Sequence, residues 1–353
     1  MRVLLVADTA LARTGCMHLG ASLRRQGVEV LEEPPLDLEA LATSDLLLRL
    51  DAVGLFVRSD KLPPFLRRLH QAAALRGIPP VAVFSGPSAP LMGDALVADL
   101  LPRLDVDLLC LHGQHQSEDL ADLLRTSGHR APASVELGLW GVGPRHPGTD
   151  ESAGEQPSRD QLPRPRHLVF LEQADLPPAP GARERLLEML ERLSEASPNW
   201  VVTVQADPFR TDPPDPPPQD PSLADLLLQR SRPSSLRFSP AEAWRPCLER
   251  AGVCATISSP LLWQALARSC PLLLLGDYGI RTDMDGPLLF GSGLMQRLSS
   301  CEHLDALLDL PPPNPAWLHA LGWSIQPDAE PLVRWLAGRP RGPAGRDAHG
   351  EGR

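Results

Sequence analysis

The sequence predicts an α/β protein made of two doubly wound, Rossmann-like domains. Three observations carry that prediction. Short, wholly apolar runs of strand length alternate with stretches of helical spacing, and they do so on both sides of a Gly-, Pro- and charge-rich segment at 141–165. Strands that are apolar on both faces belong to parallel sheets covered by helices, and alternation with helices marks that architecture. The chain has 353 residues, enough for two ordinary domains, and 42% hydrophobic residues, enough to build cores.

The first half follows the pattern from its start. RVLLVA at 2–7 reads as a buried strand and ends at Asp8-Thr9. Helical spacing over 15–26 closes at Gly27, a C-cap residue. Strands are expected at 28–31, 51–57, 81–84, 106–111 and 134–137, with helices at 63–76, 93–101 and 116–126. The expected strand ends carry Asp8, Thr9, Ser85, Gly86, His112 and Gly113, which would line one rim of a domain spanning 1–140. Ligands of open α/β sheets bind outside the carboxyl ends of the strands, so that rim is a candidate surface. No G-x-G-x-x-G follows the first strand and no G-x-x-x-x-G-K-[ST] occurs, which argues against a standard dinucleotide domain and against P-loop chemistry.

Residues 141–165 read as a linker, and a His-Pro step at 146–147 falls inside it. A second α/β set, 166–310, then begins. Strands are expected at 167–171 and 200–204, a strong amphipathic helix at 181–195, and a surface loop at 207–221, where the prolines exclude regular structure. A helix at 222–230 and a short strand holding Leu236 and Phe238 precede a helix at 240–250, interrupted or ended near Pro246. The most informative stretch is 251–293. A strand at 253–257 meets Ser258-Ser259-Pro260, a helix covers 261–268, a strand covers 271–275, and a Gly/Asp-rich loop follows. Ser259 suits an N-cap and Pro260 the first helical position. The free N–H groups of such a first turn suit a phosphate, although most Ser-Pro helix starts bind nothing. A helix at 301–308, two C-terminal helices within 311–337 and a core-less tail at 338–353 complete the chain.

Composition narrows the partners. A formal net charge of −10 argues against binding along a nucleic-acid backbone, and Lys61 is the sole lysine. The six cysteines form no C-x-x-C pair, as expected of buried thiols in a reducing cytosol. The opening apolar run is too short for a signal peptide, and no run approaches membrane-spanning length. The expectation is a cytoplasmic protein with at most peripheral membrane contact.

Two such domains joined by a linker resemble the GT-B fold, in which the domains face each other across a cleft. The stretch TISSPLLWQALARSCPLLLL resembles the GT-B donor-site pattern: a small-hydroxyl pair, a helix bearing an acidic residue, then a turn before a strand. GDYGIRTDMDGPLLFGSGLM, the opening VLLVADT, the FSGP turn and VDLLCLHGQHQSEDLADLL are similar to an uncharacterised bacterial family assigned to the glycosyltransferases, and together these segments span most of residues 1–295. The resemblance implies transfer of a sugar from a nucleotide-sugar donor to a glycan, a lipid-linked acceptor or another hydroxyl. It implies no further cofactor and no metal.

It also implies roles. Ser258 and Ser259 would hold the donor phosphate, as a similar serine pair does in bacterial GT-B sialyltransferases. Gln264 stands where the pattern has a ribose-binding glutamate and can hydrogen-bond a hydroxyl without charge. By their place in the chain, Asp277 and Tyr278 read either as contacts to the sugar or base or as a plain turn, the turn being favoured for Asp277, and Gly291 and Gly293 would allow close backbone approach. Asp8 reads either as the base for the acceptor hydroxyl or as a turn residue bonding its own backbone. Thr9, Ser85 and Gly86 would contact the acceptor. His112 and His115 follow the fifth strand as candidate acid or acceptor contacts, although isolated histidines more often cap or sit on surfaces. The general-acid histidine of the sialyltransferases is replaced here by Asp207. Gln264, Asp207 and the proline loop therefore support a second class, a GT-B-like protein that binds a nucleotide sugar without turnover. A sugar-nucleotide epimerase is the weaker third class, since no matching acidic and histidine set occurs.

Overall fold

A computed structural model describes residues 1–32, 37–142, 164–173, 176–179, 181–209, 221–229, 235–325 and 328–339. Most of the expected linker with its His-Pro step, most of the proline loop and most of the tail lie outside those residues. The described residues fall into two compact units, within Met1–Gly143 plus Leu318–Arg353 and within Pro144–Trp317.

The first unit holds β1 (Arg2–Ala7), β2 (Glu29–Glu32), β3 (Ala52–Phe56), β4 (Ala82–Ser85), β5 (Leu108–Leu111) and β6 (Ala133–Glu136). They form one six-stranded sheet in the order β2-β1-β3-β4-β5-β6, every pair parallel. Strand order reverses between β1 and β3. One face packs against the helix Leu62–Leu75 through Leu62, Phe65, Leu66 and Leu69, with Leu96, Leu100 and Leu120 beside them. The other face packs against the helix Ala10–Arg25 through Ala12, Cys16, Leu19 and Leu23.

That second face is completed from the far end of the chain. Ala329, Leu332 and Leu336 of the segment ending in the helix Glu330–Ala337 join the same core. Asp328 anchors the helix start, accepting from Ser22 Oγ at 3.4 Å and Glu330 N–H at 3.2 Å, while Ala329 N–H donates to Ser22 Oγ at 3.0 Å. Gly322, at φ +83°, lies so close to β5's end that a Cβ there would stand 2.0 Å from the His112 carbonyl oxygen. The stretch read as 311–337 is therefore divided: its part from Leu318 onward belongs with the N-terminal sheet. Local pattern shows that this helix has an apolar face but not which sheet supplies the other side.

The second unit holds β7 (His167–Leu171), β8 (Val201–Gln205), β9 (Arg237–Ser239), β10 (Val253–Thr256), β11 (Leu272–Leu275) and β12 (Met295–Gln296). The order is β12-β11-β10-β7-β8-β9, again all parallel, with the reversal between β7 and β10. The helix Ala182–Ala196 buries Leu186, Leu187, Leu190 and Leu193, at the spacing of one helical face, against it.

Three local expectations change. The first helix begins at Ala10 because Thr9 Oγ1 caps it, accepting Ala12 N–H at 3.1 Å. The helix Trp244–Arg250 runs through Pro246 without interruption, since Pro246 sits in the first turn, where no N–H is needed. Residues 304–309 form a 3₁₀ rather than an α-helix. Strand β12 was not expected, being two residues long and lacking a pattern of its own.

Candidate functional site

The reversal of strand order opens a crevice at the carboxyl ends of the two strands on either side, where doubly wound sheets take ligands. In the second sheet those strands are β7 and β10, followed by Glu172-Gln173 and by Ile257-Ser258-Ser259. The two ends are tied by side chains. Thr256 Oγ1 donates to Leu171 O at 2.8 Å and accepts Ser259 N–H at 3.0 Å. Gln173 reaches across from the β7 side, and its Oε1 accepts both Ser258 N–H at 3.0 Å and Ser258 Oγ–H at 2.8 Å. Because the backbone N–H can only donate, the oxygen of the carboxamide must face it.

Two carboxyl groups flank this contact. Asp285, in the left-handed region at φ +53°, heads the short helix Gly286–Leu289 and hydrogen-bonds the Ser258 side chain. Burial pushes its pKa up, and the Ser258 bond opposes the shift. Glu172 is 2% exposed and accepts the N–H groups of Leu223 and Ala224 at the start of the helix Leu223–Gln229. Burial pushes its pKa up to about 7, opposed by those two N–H groups and reinforced by Asp207 and Asp225. Neither Asp285, Glu172 nor Gln173 was singled out from sequence. Glu172-Gln173 follow the apolar run 167–171 just as Asp8-Thr9 follow 2–7, so the strand-end rule would have found them. Asp285-Gly286 carries only a turn signal.

The serine pair lies where the sequence put it, at the end of β10, but both donors of Ser258 and the N–H of Ser259 are engaged within the chain. Ser258 is 4% and Ser259 0% exposed. Leu261 N–H donates to Ser259 Oγ at 3.4 Å and Leu262 N–H to Ser259 O at 2.9 Å. Pro260 rather than Ser259 occupies the cap position of a seven-residue helix, Leu261–Ala267, too short for much macrodipole. Gln264 on that helix is buried, and its Oε1 accepts from Arg268 at 3.3 Å.

The remaining candidates of this unit brace loops. Asp277 accepts the N–H groups of Leu298 at 2.8 Å and Ser299 at 3.0 Å. Burial, and then the Asp277 charge, push the Tyr278 hydroxyl up to about 12. Gly291 and Gly293 flank a turn held from outside: Asn314 Nδ2 donates to Gly291 O at 3.1 Å and Asn314 N–H to Ser292 O at 2.7 Å.

The first sheet has its own crevice, between the ends of β1 and β3. Asp8 bridges it, both carboxylate oxygens accepting Arg58 N–H at 3.2 Å, and Lys61 Nζ pairs with the same carboxylate at 2.8 Å. Thr9 is spent as a helix cap. Ser85 is fully buried; its hydroxyl donates to Leu55 O and accepts from Arg103 Nη1 at 2.6 Å. Arg103 also donates to Val57 O at 2.9 Å and pairs with Asp99, so Ser85 belongs to a buried brace behind the rim. Gly86 packs on β5, where a Cβ would stand 1.9 Å from Cys110 O.

His112 is 1% exposed beneath Gly322, and burial pushes its pKa down to about 4, offset in part by Gln116. Its ring stacks on Trp140 at 6.0 Å and 13°. Neither His112 Nδ1 nor Trp140 Nε1 has a protein partner, an arrangement that a buried water would satisfy. His115 faces Asp119 at 3.7 Å on its own helix. Among the described residues, no group of three or more His, Cys, Asp or Glu side chains is placed to hold a metal ion, and no helix is long and apolar enough to cross a membrane.

Comparison with known proteins identifies the family and the fold. The family model described as "Putative glycosyltransferase (DUF6716)" matches residues 6–335. No curated protein matches the sequence. Among solved structures, UDP-GlcNAc 2-epimerase from Neisseria meningitidis bound to UDP-GlcNAc is similar with a TM-score of 0.53 at 10% identity, over 96% of this chain and 100% of that one. The S. aureus MnaA–UDP co-structure is similar with a TM-score of 0.51 at 12% identity, over 94% of this chain and 95% of that one. OtsA in its apo form reaches 0.50 at 12% identity, over 96% and 99%. At such identities the likeness shows the fold alone, and the fold is GT-B-like: mixed α/β with two parallel sheets.

Proposed function

The chain belongs to that family, and from this premise we propose that it moves a sugar from a nucleotide-sugar donor to a hydroxyl of a glycan or lipid-linked acceptor, in the cytoplasm, with no metal or further cofactor. One observation carries the reading. Ser258 stands at the switch point of the second sheet and offers two convergent donors, N–H and Oγ–H, to a single oxygen. Donors fixed in this way stabilise charge developing on a leaving phosphate without reorganising. Asp8, the carboxylate at the other switch point, is the proposed base for the acceptor hydroxyl.

The test is direct. The full chain is incubated with UDP-, TDP-, GDP- and CMP-linked sugars, with and without chelator, and release of the nucleotide is followed. Release that disappears in Ser258→Ala supports the reading; no release and no binding of any donor removes it.

A second reading, nucleotide-sugar binding without turnover, is favoured by one specific observation: both donors of Ser258 and the N–H groups of Ser259, Leu261 and Leu262 are already satisfied inside the protein. Calorimetric binding of a donor with no nucleotide release selects it.

A further inference from the structure

We propose that Gln173 is a built-in competitor for the phosphate of the donor: its Oε1 occupies the place of one phosphate oxygen on Ser258, and it must swing away before a nucleotide binds. The inference rests on the proposed role of Ser258 and adds the residue that controls access to it. Three observations support it. A single acceptor atom collects a backbone N–H and a hydroxyl that both belong to Ser258, at 3.0 and 2.8 Å. Converging donors of this kind hold anionic oxygens in many sites. The acceptor comes from the opposite lip of the crevice, where ligands of doubly wound sheets sit, so it spans two strand ends rather than bracing one. Gln173 is itself partly exposed, unlike Ser258 and Ser259, so its side chain has a route toward solvent.

The surrounding charges fit a controlled site. Asp285 shares the Ser258 hydroxyl, which has one proton and can serve one acceptor at a time. Glu172 lies beside Gln173 in sequence and is buried at the same edge. Burial favours the neutral form of both carboxyl groups, which lessens their repulsion of an incoming phosphate. Displacement exchanges a neutral acceptor for a charged one on the same two donors, and charge-assisted bonds are the stronger kind. The competitor therefore lowers affinity without blocking the site.

The experiment is calorimetric titration of the full chain with UDP, TDP and GDP, with uridine as the phosphate-free control. Gln173→Ala is expected to tighten the diphosphate that binds best by three- to tenfold and to leave uridine unchanged. Gln173→Glu keeps the size and both acceptor bonds and adds a charge; it is expected to weaken the diphosphate tenfold or more. Ser258→Ala is expected to weaken it several-fold whether residue 173 is Gln or Ala. Should Gln173→Ala bind no tighter than the parent while Ser258→Ala still weakens binding, the competitor is refuted and the donor site stands. Should Ser258→Ala also leave affinity unchanged, or should no diphosphate bind to either the parent or Gln173→Ala, both fall. Thermal melts of each variant, within a few degrees of the parent, establish that affinity rather than folding has changed.

Discussion

The two sheets answer the same structural problem with different chemistry. Each has a reversal of strand order, and at each reversal a polar side chain reaches from one strand end to a backbone N–H at the other. In the first sheet the bridge is ionic: Asp8 accepts Arg58 N–H and pairs with Lys61, while behind it Arg103 ties Asp99, Ser85 and Val57 O together. In the second the bridge is neutral: Gln173 spans to Ser258, and the carboxyl groups nearby are pushed toward their protonated forms. A charged bridge is costly to leave half-made, because its partner remains as an unpaired charge or an unmet donor. A neutral bridge is cheaper to exchange. The difference marks the second crevice as the one suited to trading its own acceptor for a ligand's.

The largest effect should come from breaking the ionic side. Arg103→Met leaves Asp99 and Val57 O without their buried partner and should cost about 3–5 kcal/mol, the range for removing one member of a buried pair. Urea denaturation checks it; a cost under ~1 kcal/mol would mean that the buried network does not brace the first crevice. Asp8→Asn separates brace from base. Loss of the partly exposed pair with Lys61 should cost under ~1 kcal/mol, whereas loss of a general base should lower kcat by ~10²-fold or more with donor KM unchanged. Steady-state kinetics beside a melt distinguishes the two, and a fall in stability alone would leave Asp8 purely structural.

The pH response should also divide the sheets. Glu172 titrates near 7 in the fold against an ordinary 4.5. Its contribution is therefore full below pH 4.5 and is lost as pH rises through 7, by up to about 3 kcal/mol. His112 titrates near 4 against an ordinary 6.5. Its contribution is present above pH 6.5 and is lost as pH falls through 4, by a similar amount of about 3 kcal/mol. Stability curves of Glu172→Gln and His112→Gln against the parent should each flatten one arm, on opposite sides. Flattening on the same side would break the comparison. The smallest effect expected is that of Ser258→Ala with Ser259→Ala, a several-fold loss of nucleotide-sugar affinity, about 1 kcal/mol. Calorimetry measures it, and unchanged affinity would end the assignment of the second crevice to the donor.

Much of the architecture was legible because apolar runs of strand length report directly on burial at both faces. The run 167–171 coincides with β7, and 2–7 with β1. Helix starts were harder, since Thr9 and Pro246 act through a cap bond and a first-turn position that spacing alone does not display. The site was legible in place but not in state. Ser258 and Asp8 were found because they follow apolar runs. That Gln173 fills Ser258, that Arg103 takes up Ser85 and that Asp277 caps the turn at Leu298 depends on residues 85, 18 and 21 positions away.

The amino-acid order by itself determined that two parallel α/β sheets form and, β12 apart, where their strands end to within a residue, because period and apolarity are local properties that each segment carries alone. Tertiary structure decided which strands became neighbours, and with them which two ends border each crevice. It also decided that the helix Glu330–Ala337 returns to the first sheet, and which of the strand-end polar groups are spent inside the protein. The physical reason is that a hydrogen-bond donor is indifferent to the chain position of its acceptor. Whether Ser258 faces a ligand or Gln173 is settled only when the strands have been brought side by side.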